Sequence, residues 1–397
     1  MPVGPEWTGL NPVGRCSCHP VLEEGRLTRS RFPRFATAGF AVMLLVAACS
    51  SAPSGSGGAA GGKVALLLPE KQTARYESAD KPLFEAKFKS VCPNTELLYS
   101  NAGGEDSTQL NQAESAMTNG AKVLVLDPND ADAAGKIVTE AAAKGVKVIS
   151  YDRLIKGNSK PDYYVEFDSN SVGKLQGQAL LDKLTAMGKS NAKILWINGS
   201  PKDNNAKLFA AGAHSVLDGK VQVVKEDAMA NWKPEEAQAI TEAAITSFGK
   251  DGFDAVYVAN DGGAGGVIAA MKANGVDPKS HPVTGQDAEL AAIQRIIAGE
   301  QFMTVYKPIK TLAEAAAVAA CDLATGKSVD SAKFSGKENN GTADIPTQII
   351  PVVPVTLDGA IANTKSIVDS VIADKFYTVS DICTGDFAAA CASAGIK

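Results

Sequence analysis

From Lys63 onward, short β-branched runs alternate with longer alanine-rich amphipathic segments, and no other feature constrains the fold as tightly. The strand-like runs are "KVALLL", "ELLYS", "KVLVL", "VKVISY", "YYVEF", "KILWIN", "VQVV", "DAVYVA", "PVTG", "FMTVY" and "IIPVVPV". Between them lie helical patterns such as "DADAAGKIVTEAAAKG" and "PEEAQAITEAAITSFG", several closed by a glycine. Strands separated by single helices pair in parallel, with helices covering both faces of the sheet. So many strands fill two such sheets, which predicts an α/β chain of two doubly wound lobes. With 45% hydrophobic residues in 397, the chain can bury two cores of ordinary size.

Open parallel sheets bind ligands beyond the carboxyl ends of their strands. Here those ends read "LLLPEKQTARY", "VISYDR", "WINGSPKDNN", "YVAND", "VTGQD" and "TVYK", nearly all offering a charge or an amide. The parts of familiar enzymes are missing. There is no G-x-S-x-G, "MGKS" and "TGKS" lack the leading glycine of a phosphate-binding loop, and "DPNDADAAG" fails a calcium loop at Ala131. His214 sits on a helical pattern and His281 precedes a proline; both read as surface residues. The formal charge of -5 leaves no basic surface for nucleic acid. A site of Asp, Asn, Arg and Lys without a base, nucleophile, metal cluster or cofactor motif suits hydroxyl groups, which both donate and accept hydrogen bonds.

The N-terminus reads as a targeting segment. Arg29, Arg31 and Arg34 precede the apolar run "ATAGFAVMLLVAA", too short for a permanent span, and small residues lead into Cys49 as in a bacterial lipobox. Residues 1–49 are therefore expected to be a signal peptide whose cysteine is lipidated, and 50–62, rich in Gly and Ser, a flexible linker. Residues 1–26 place Glu6, Glu23 and Glu24 ahead of the cationic region and suggest a start codon further downstream; Cys16, Cys18 and His19 fall in that stretch and carry no metal reading. Export permits disulfides. Cys383 and Cys391, eight apart, are the favoured pair, Cys92 and Cys321 read as buried thiols, and the connectivity stays open.

The stretches "YDRLI", "FDSNSVGKLQ", "GSPKDNNAKLF", "NWKPEEA", "VANDGGAGG", "GQDAELAAI" and "MTVYKPI" resemble, in number and order, the periplasmic D-xylose-binding proteins of ABC transporters, within the ribose/galactose-binding (type I) superfamily. The resemblance runs from Lys63 to about residue 310. It implies two lobes joined by a multi-strand hinge: 63–168 completed by about 307–335, and 169–306 completed by about 340–397. It further implies sugar contacts from Arg75, Asp152 and Arg153 in the first lobe, from Asp203, Asn205 and Trp232 in the second, and from Asn260, Asp287 and Lys307 at the remaining edges. Where the family pattern has a second aromatic, usually Trp, this chain has Tyr76, which alters the fit around C5 of the sugar. The implied partners are one monosaccharide, a permease and its ATPase, with the membrane reached only through the lipid and a monomer expected. A broader aldose receptor, a chemosensory or quorum-signal receptor and an enzyme acting on sugars remain as alternatives. A sugar-responsive repressor would need a helix-turn-helix where the signal peptide stands.

Overall fold

The structure is a computed structural model that describes residues 62–397. Cys49, the expected signal peptide, nearly all of the linker and the Cys16, Cys18 and His19 group lie outside the described residues. In chain order the strands are β1 (Lys63–Leu68), β2 (Leu97–Asn101), β3 (Ala121–Leu126), β4 (Lys147–Tyr151), β5 (Tyr163–Phe167) and β6 (Lys193–Asn198). There follow β7 (Gln222–Ala228), β8 (Ala255–Val258), β9 (Thr304–Tyr306), β10 (Gly336–Asn339), β11 (Asp344–Ile350) and β12 (Val353–Val355). The helices that matter below are α1 (Lys81–Val91), α2 (Asp106–Thr118), α3 (Gly135–Ala143), α4 (Ser169–Ala186), α5 (Asn204–Leu217), α6 (Pro234–Phe248), α7 (Asp261–Ala273), α8 (Leu290–Ile297) and α9 (Ile309–Ala324).

The first lobe holds a seven-stranded sheet in the order β10-β11-β5-β4-β3-β1-β2, parallel except for the β10–β11 pair. Its central strands are buried on both faces, as β1 is from Val64 to Leu68, because helices cover the sheet above and below. One face packs on α1 and α9, whose alanines allow close approach, and the other on α2 and α3. The second lobe holds the parallel sheet β7-β6-β8, extended by a single bridge from Val256 to Val283. The expected strand "PVTG" is reduced to that bridge. Gly173 on α4 faces the Phe209 carbonyl so closely that a Cβ would lie 1.9 Å from it. Only glycine lets α4 and α5 pack at this distance, and that contact fixes the N-terminus of α5.

The chain crosses between lobes after β5, after β9 and between β11 and β12, where β9 and β12 pair antiparallel. Three sequence expectations are corrected here. "IIPVVPV" is not one strand: Ile350 ends β11, paired with Phe167 of β5, and Val353 opens β12, paired with Tyr306. Pro351 between them has no N–H to continue a ladder. Residues 336–350, of which those from about 340 were expected in the second lobe, thus lie in the first-lobe sheet. Cys92 and Cys321 are not free thiols but a disulfide with Cα atoms 5.7 Å apart, joining the end of α1 to α9; Cys383 is bonded to Cys391. Among the described residues no helix is long and apolar enough to cross a membrane.

Candidate functional site

Every strand end singled out above opens on one space between the lobes. Arg75, Tyr76, Asp152, Arg153, Asp203, Asn205, Trp232, Asn260, Asp287 and Lys307 all line this pocket, together with Thr73, Phe209 and Gln286. Arg75 and Tyr76 follow β1, Asp152 and Arg153 follow β4, Asp203 and Asn205 open α5 after β6, and Trp232 precedes α6 after β7. Asn260 follows β8, Gln286 and Asp287 follow the Val283 bridge, and Lys307 follows β9.

Several of these residues are held by more than one element. The Asp203 side chain caps α5 by accepting from the Asn205 N–H at 2.8 Å, while its other oxygen lies 3.0 Å from Arg153 Nε across the lobes. It is both a helix cap and a pocket wall. Asn260 caps α7 in the same way, accepting from the Gly263 N–H at 2.9 Å. Asn205 Nδ2 donates to the Asp152 carbonyl at 3.0 Å, a second bond between lobes. Arg75 is held fork to fork by Asp80, at 2.8 and 2.7 Å, and Asp80 in turn accepts from the Tyr151 hydroxyl at 2.5 Å. Tyr76 donates to Asp152 Oδ2 at 3.1 Å, and Lys307 Nζ stands 3.2 Å from Asp287 Oδ1.

Trp232 packs closely against Gly199, where a Cβ would come within 1.9 Å of the indole ring. Asp152, Trp232 and Asp287 adopt φ of 58°, 59° and 97°. Left-handed backbone at non-glycine residues costs about 1–3 kcal/mol each and persists where the surroundings impose it. Three such residues around one pocket mark it as a built site.

The electrostatics are balanced. Arg75, Arg153 and Lys307 face Asp152, Asp203 and Asp287, so the lining carries as many cations as carboxylates. Burial alone would raise the Asp152 carboxyl, but Arg75, Lys307 and Arg153 outweigh it and hold the group below its ordinary range. Burial raises Asp203, with Arg153 opposing, and raises Asp127 behind the pocket well above its usual value, again with Arg153 opposing. Asn205 Oδ1, Trp232 Nε1, Gln286 Oε1 and Asp287 Oδ1 are buried without a hydrogen-bond partner among the described residues. Buried polar atoms of this kind call for a partner. Donors and acceptors in equal supply, without net charge, fit a neutral molecule bearing hydroxyl groups rather than an anion or a cation. Thr73 supplies the one hydroxyl outside Tyr76 in the lining, and no Ser, Cys or His joins it among the described residues. No metal-binding group of three or more His, Cys, Asp or Glu occurs among the described residues either.

Sequence reasoning missed Thr73, Phe209 and Gln286, and also the carboxylates behind the arginines, Glu70, Asp80 and Asp127. Gln286 had a signal, standing beside Asp287 in "GQD". Phe209 had none, since an aromatic at helical spacing on α5 reads as core.

Known proteins are similar to this chain over most of its length. The model of the periplasmic binding protein domain matches residues 64–328. The D-xylose-binding periplasmic protein of Escherichia coli K12 is 36% identical over 325 residues, covering 81% of this chain and 92% of its own. A multiple sugar-binding periplasmic protein of Azospirillum brasilense is 34% identical over 342 residues, again covering 81% and 92%. The crystal structure of an ABC transporter solute-binding protein from Clostridium phytofermentans, with bound β-D-glucose, superposes with a TM-score of 0.71 at 30% identity, over 80% of this chain and 99% of the other. The chain is a binding protein and not an enzyme, and it belongs to the periplasmic binding protein family of type I.

Proposed function

We propose that the chain captures a monosaccharide, D-xylose in first place, by closing its two lobes on the ring, and delivers it to an ABC permease driven by its ATPase. The observation that carries this reading is the balanced pocket with residues from both lobes and unpartnered polar atoms facing inward. In it Asp152, Asp203, Asp287 and the Asn205 carbonyl accept hydroxyl protons, while Arg75, Arg153, Lys307 and the Trp232 N–H donate. Trp232, Tyr76 and Phe209 offer ring faces to the C–H side of the sugar. In the closed arrangement the pocket encloses about 20 Å³, the space of one water. A ring therefore enters only after the lobes part, and they then close on it less far than they stand here. Xylose is favoured by the name of the Escherichia coli relative. Export as a lipoprotein tethered through Cys49 rests on the N-terminal sequence, and a monomer that needs no cofactor completes the proposal.

A second reading, a broader aldose receptor, is favoured by Tyr76 where the family pattern has Trp, and by the sugar names of the Azospirillum and Clostridium relatives. Calorimetry with xylose, glucose, arabinose, ribose and galactose tests both. A pocket shaped for a pentopyranose should favour xylose over glucose by about tenfold or more, the scale of one extra carbon in a fitted site. Equal or tighter binding of glucose selects the broader receptor, and binding of none of the five removes the sugar reading. Small-angle scattering should show compaction on binding; an unchanged radius with sugar bound would exclude closure.

A further inference from the structure

Beside this pocket lies a second space of about 700 Å³, within the range of sites that enclose drug-sized molecules. Its walls also come from both lobes: Ala79, Pro82 and Leu83 from the first, Leu290, Phe376 and Tyr377 from the second. The Phe376 ring lies 5.4 Å from Tyr306 and 4.6 Å from Tyr377, centroid to centroid, which gives the cavity an aromatic corner. Two side chains, Arg75 and Asp287, line the pocket and the cavity alike. They form a partition between the two spaces.

That partition has a weak seam. Arg75 spends its short hydrogen bonds on Asp80, at 2.8 and 2.7 Å, and Asp287 stands 3.2 Å from Lys307. Between Arg75 and Asp287 the distance is 3.6 Å, too long for a hydrogen bond. The two can part while each keeps its nearer partner. Asp287 Oδ1 makes no hydrogen bond among the described residues, and neither does the buried Glu289 Oε1 on the cavity wall. One acceptor, Glu289 Oε1, is thus free beside the seam, while Asp287 Oδ1 faces the Lys307 ammonium at 3.2 Å.

We propose that the protein binds glycosides as well as free sugars, with the pyranose in the pocket and a second ring passing between Arg75 and Asp287 into the cavity. There the apolar and aromatic walls meet the ring faces, and Glu289 Oε1 accepts from a hydroxyl group. The proposal rests on the sugar-binding reading of the pocket. Because both lobes wall the cavity, a second ring is gripped by closure and does not obstruct it. An aryl group and a second sugar share the required ring shape, and they differ in hydroxyls.

Calorimetry with xylose and glucose, their 4-nitrophenyl α- and β-glycosides, xylobiose, cellobiose and maltose tests this. At least one glycoside should bind within about tenfold of its parent sugar, as expected where a second ring meets open space and not a wall. Ala291→Trp places an indole into the cavity from an exposed position; it should weaken that glycoside by at least about tenfold and leave the free sugar within about twofold. Leu83→Trp from the opposite wall serves if the first variant does not fold. Binding by aryl glycosides alone assigns the cavity to an apolar ring, and binding by disaccharides alone assigns it to a second sugar. Free sugar bound with every glycoside rejected overturns the proposal and leaves the sugar reading intact, as does equal weakening of sugar and glycoside in both variants. If neither sugars nor glycosides bind, the sugar reading itself is wrong and the proposal goes with it.

Discussion

Arg153 of the first lobe stands 3.0 Å from Asp203 of the second, Nε to Oδ2, and each side chain is only 3% exposed. Arg153 also reaches Glu70 at 3.4 Å and Asp127 at 3.6 Å, but both belong to its own lobe. Asp203 is thus its buried counter-charge across the cleft. Parting the lobes returns both groups to water, so the pair makes closure costly to undo but not irreversible.

Removing Asp203 should tilt that balance. In Asp203→Ala, Arg153 would be buried on closure without its cross-lobe partner, and α5 would lose its cap. Truncating one member of a buried charge pair costs about 2–5 kcal/mol, so sugar affinity should fall by at least about thirtyfold. Cap loss should lower the melting temperature only modestly, by about 1 kcal/mol of stability. Unchanged affinity in calorimetry would show that the pair does not clasp the ligand-bound form.

Asp287 is tested best by Asp287→Asn, because its φ of 97° suits Asn better than Ala. The substitution keeps volume and removes the counter-charge of Lys307. Each hydrogen bond to a charged group is worth about 1.5–3 kcal/mol, so binding should weaken by about tenfold to a hundredfold while the fold survives. Normal binding in this variant would take Asp287 out of the site.

Trp232 and Gly199 make a coupled prediction. Trp232→Ala should cost about 1–3 kcal/mol in binding through lost ring contact. Gly199→Ala leaves the indole in place chemically but inserts a Cβ where 1.9 Å is available, so the ring must move toward the pocket. Affinity should drop in Gly199→Ala as well, and intrinsic fluorescence should report the displaced indole. Wild-type affinity with an unmoved emission maximum would refute the contact.

Why was so much of this pocket legible? Arg75, Asp152, Asp203, Asn260 and Asp287 all stand where a buried apolar run stops, and in a parallel sheet all such stops point the same way. Position alone then gathers residues more than two hundred apart in sequence. The supporting shell follows no such rule. Asp80 lies five residues beyond Arg75 on a π-type turn, and its bidentate grip depends on backbone geometry that spacing does not encode. The Cys92–Cys321 bond was equally hidden, since 229 residues separate the partners and only the packing of α1 on α9 brings them together. The division at Pro351 shows the same limit: an apolar run identifies strand, but not the sheet it joins.

That long-range disulfide gives a prediction of its own. Neither cysteine lines the pocket, so Cys92→Ser with Cys321→Ser should lower stability by about 2–4 kcal/mol, the usual worth of a native crosslink, and leave sugar affinity unchanged. Denaturant melts and calorimetry on the double variant decide it. Lost affinity at retained folding would mean that the bond also shapes the first-lobe half of the cleft.

The last prediction concerns pH. Burial, reinforced by the nearby carboxylates of Asp261 and Asp287 and opposed by Arg295, pushes Glu289 up from 4.5 to about 8. Burial likewise pushes Asp261 up to about 7, with Arg295 opposing and Asp287 adding to the rise. A carboxyl raised in the folded state holds its proton where the unfolded chain has released it. The folded form therefore binds more protons between about pH 4.5 and 8, and stability falls as pH rises through that window. Below it both states are protonated and the contribution is complete; above it both are ionised and no further change follows. In Glu289→Gln the share of that slope due to Glu289 disappears, because the amide cannot ionise, while the share due to Asp261 remains. Melting temperatures from pH 5 to 8 should thus decline less steeply in the variant than in the parent chain. Parallel declines across that range would mean that Glu289 is ionised in the folded protein throughout, and that its buried Oε1 finds a compensating charge which these contacts do not supply.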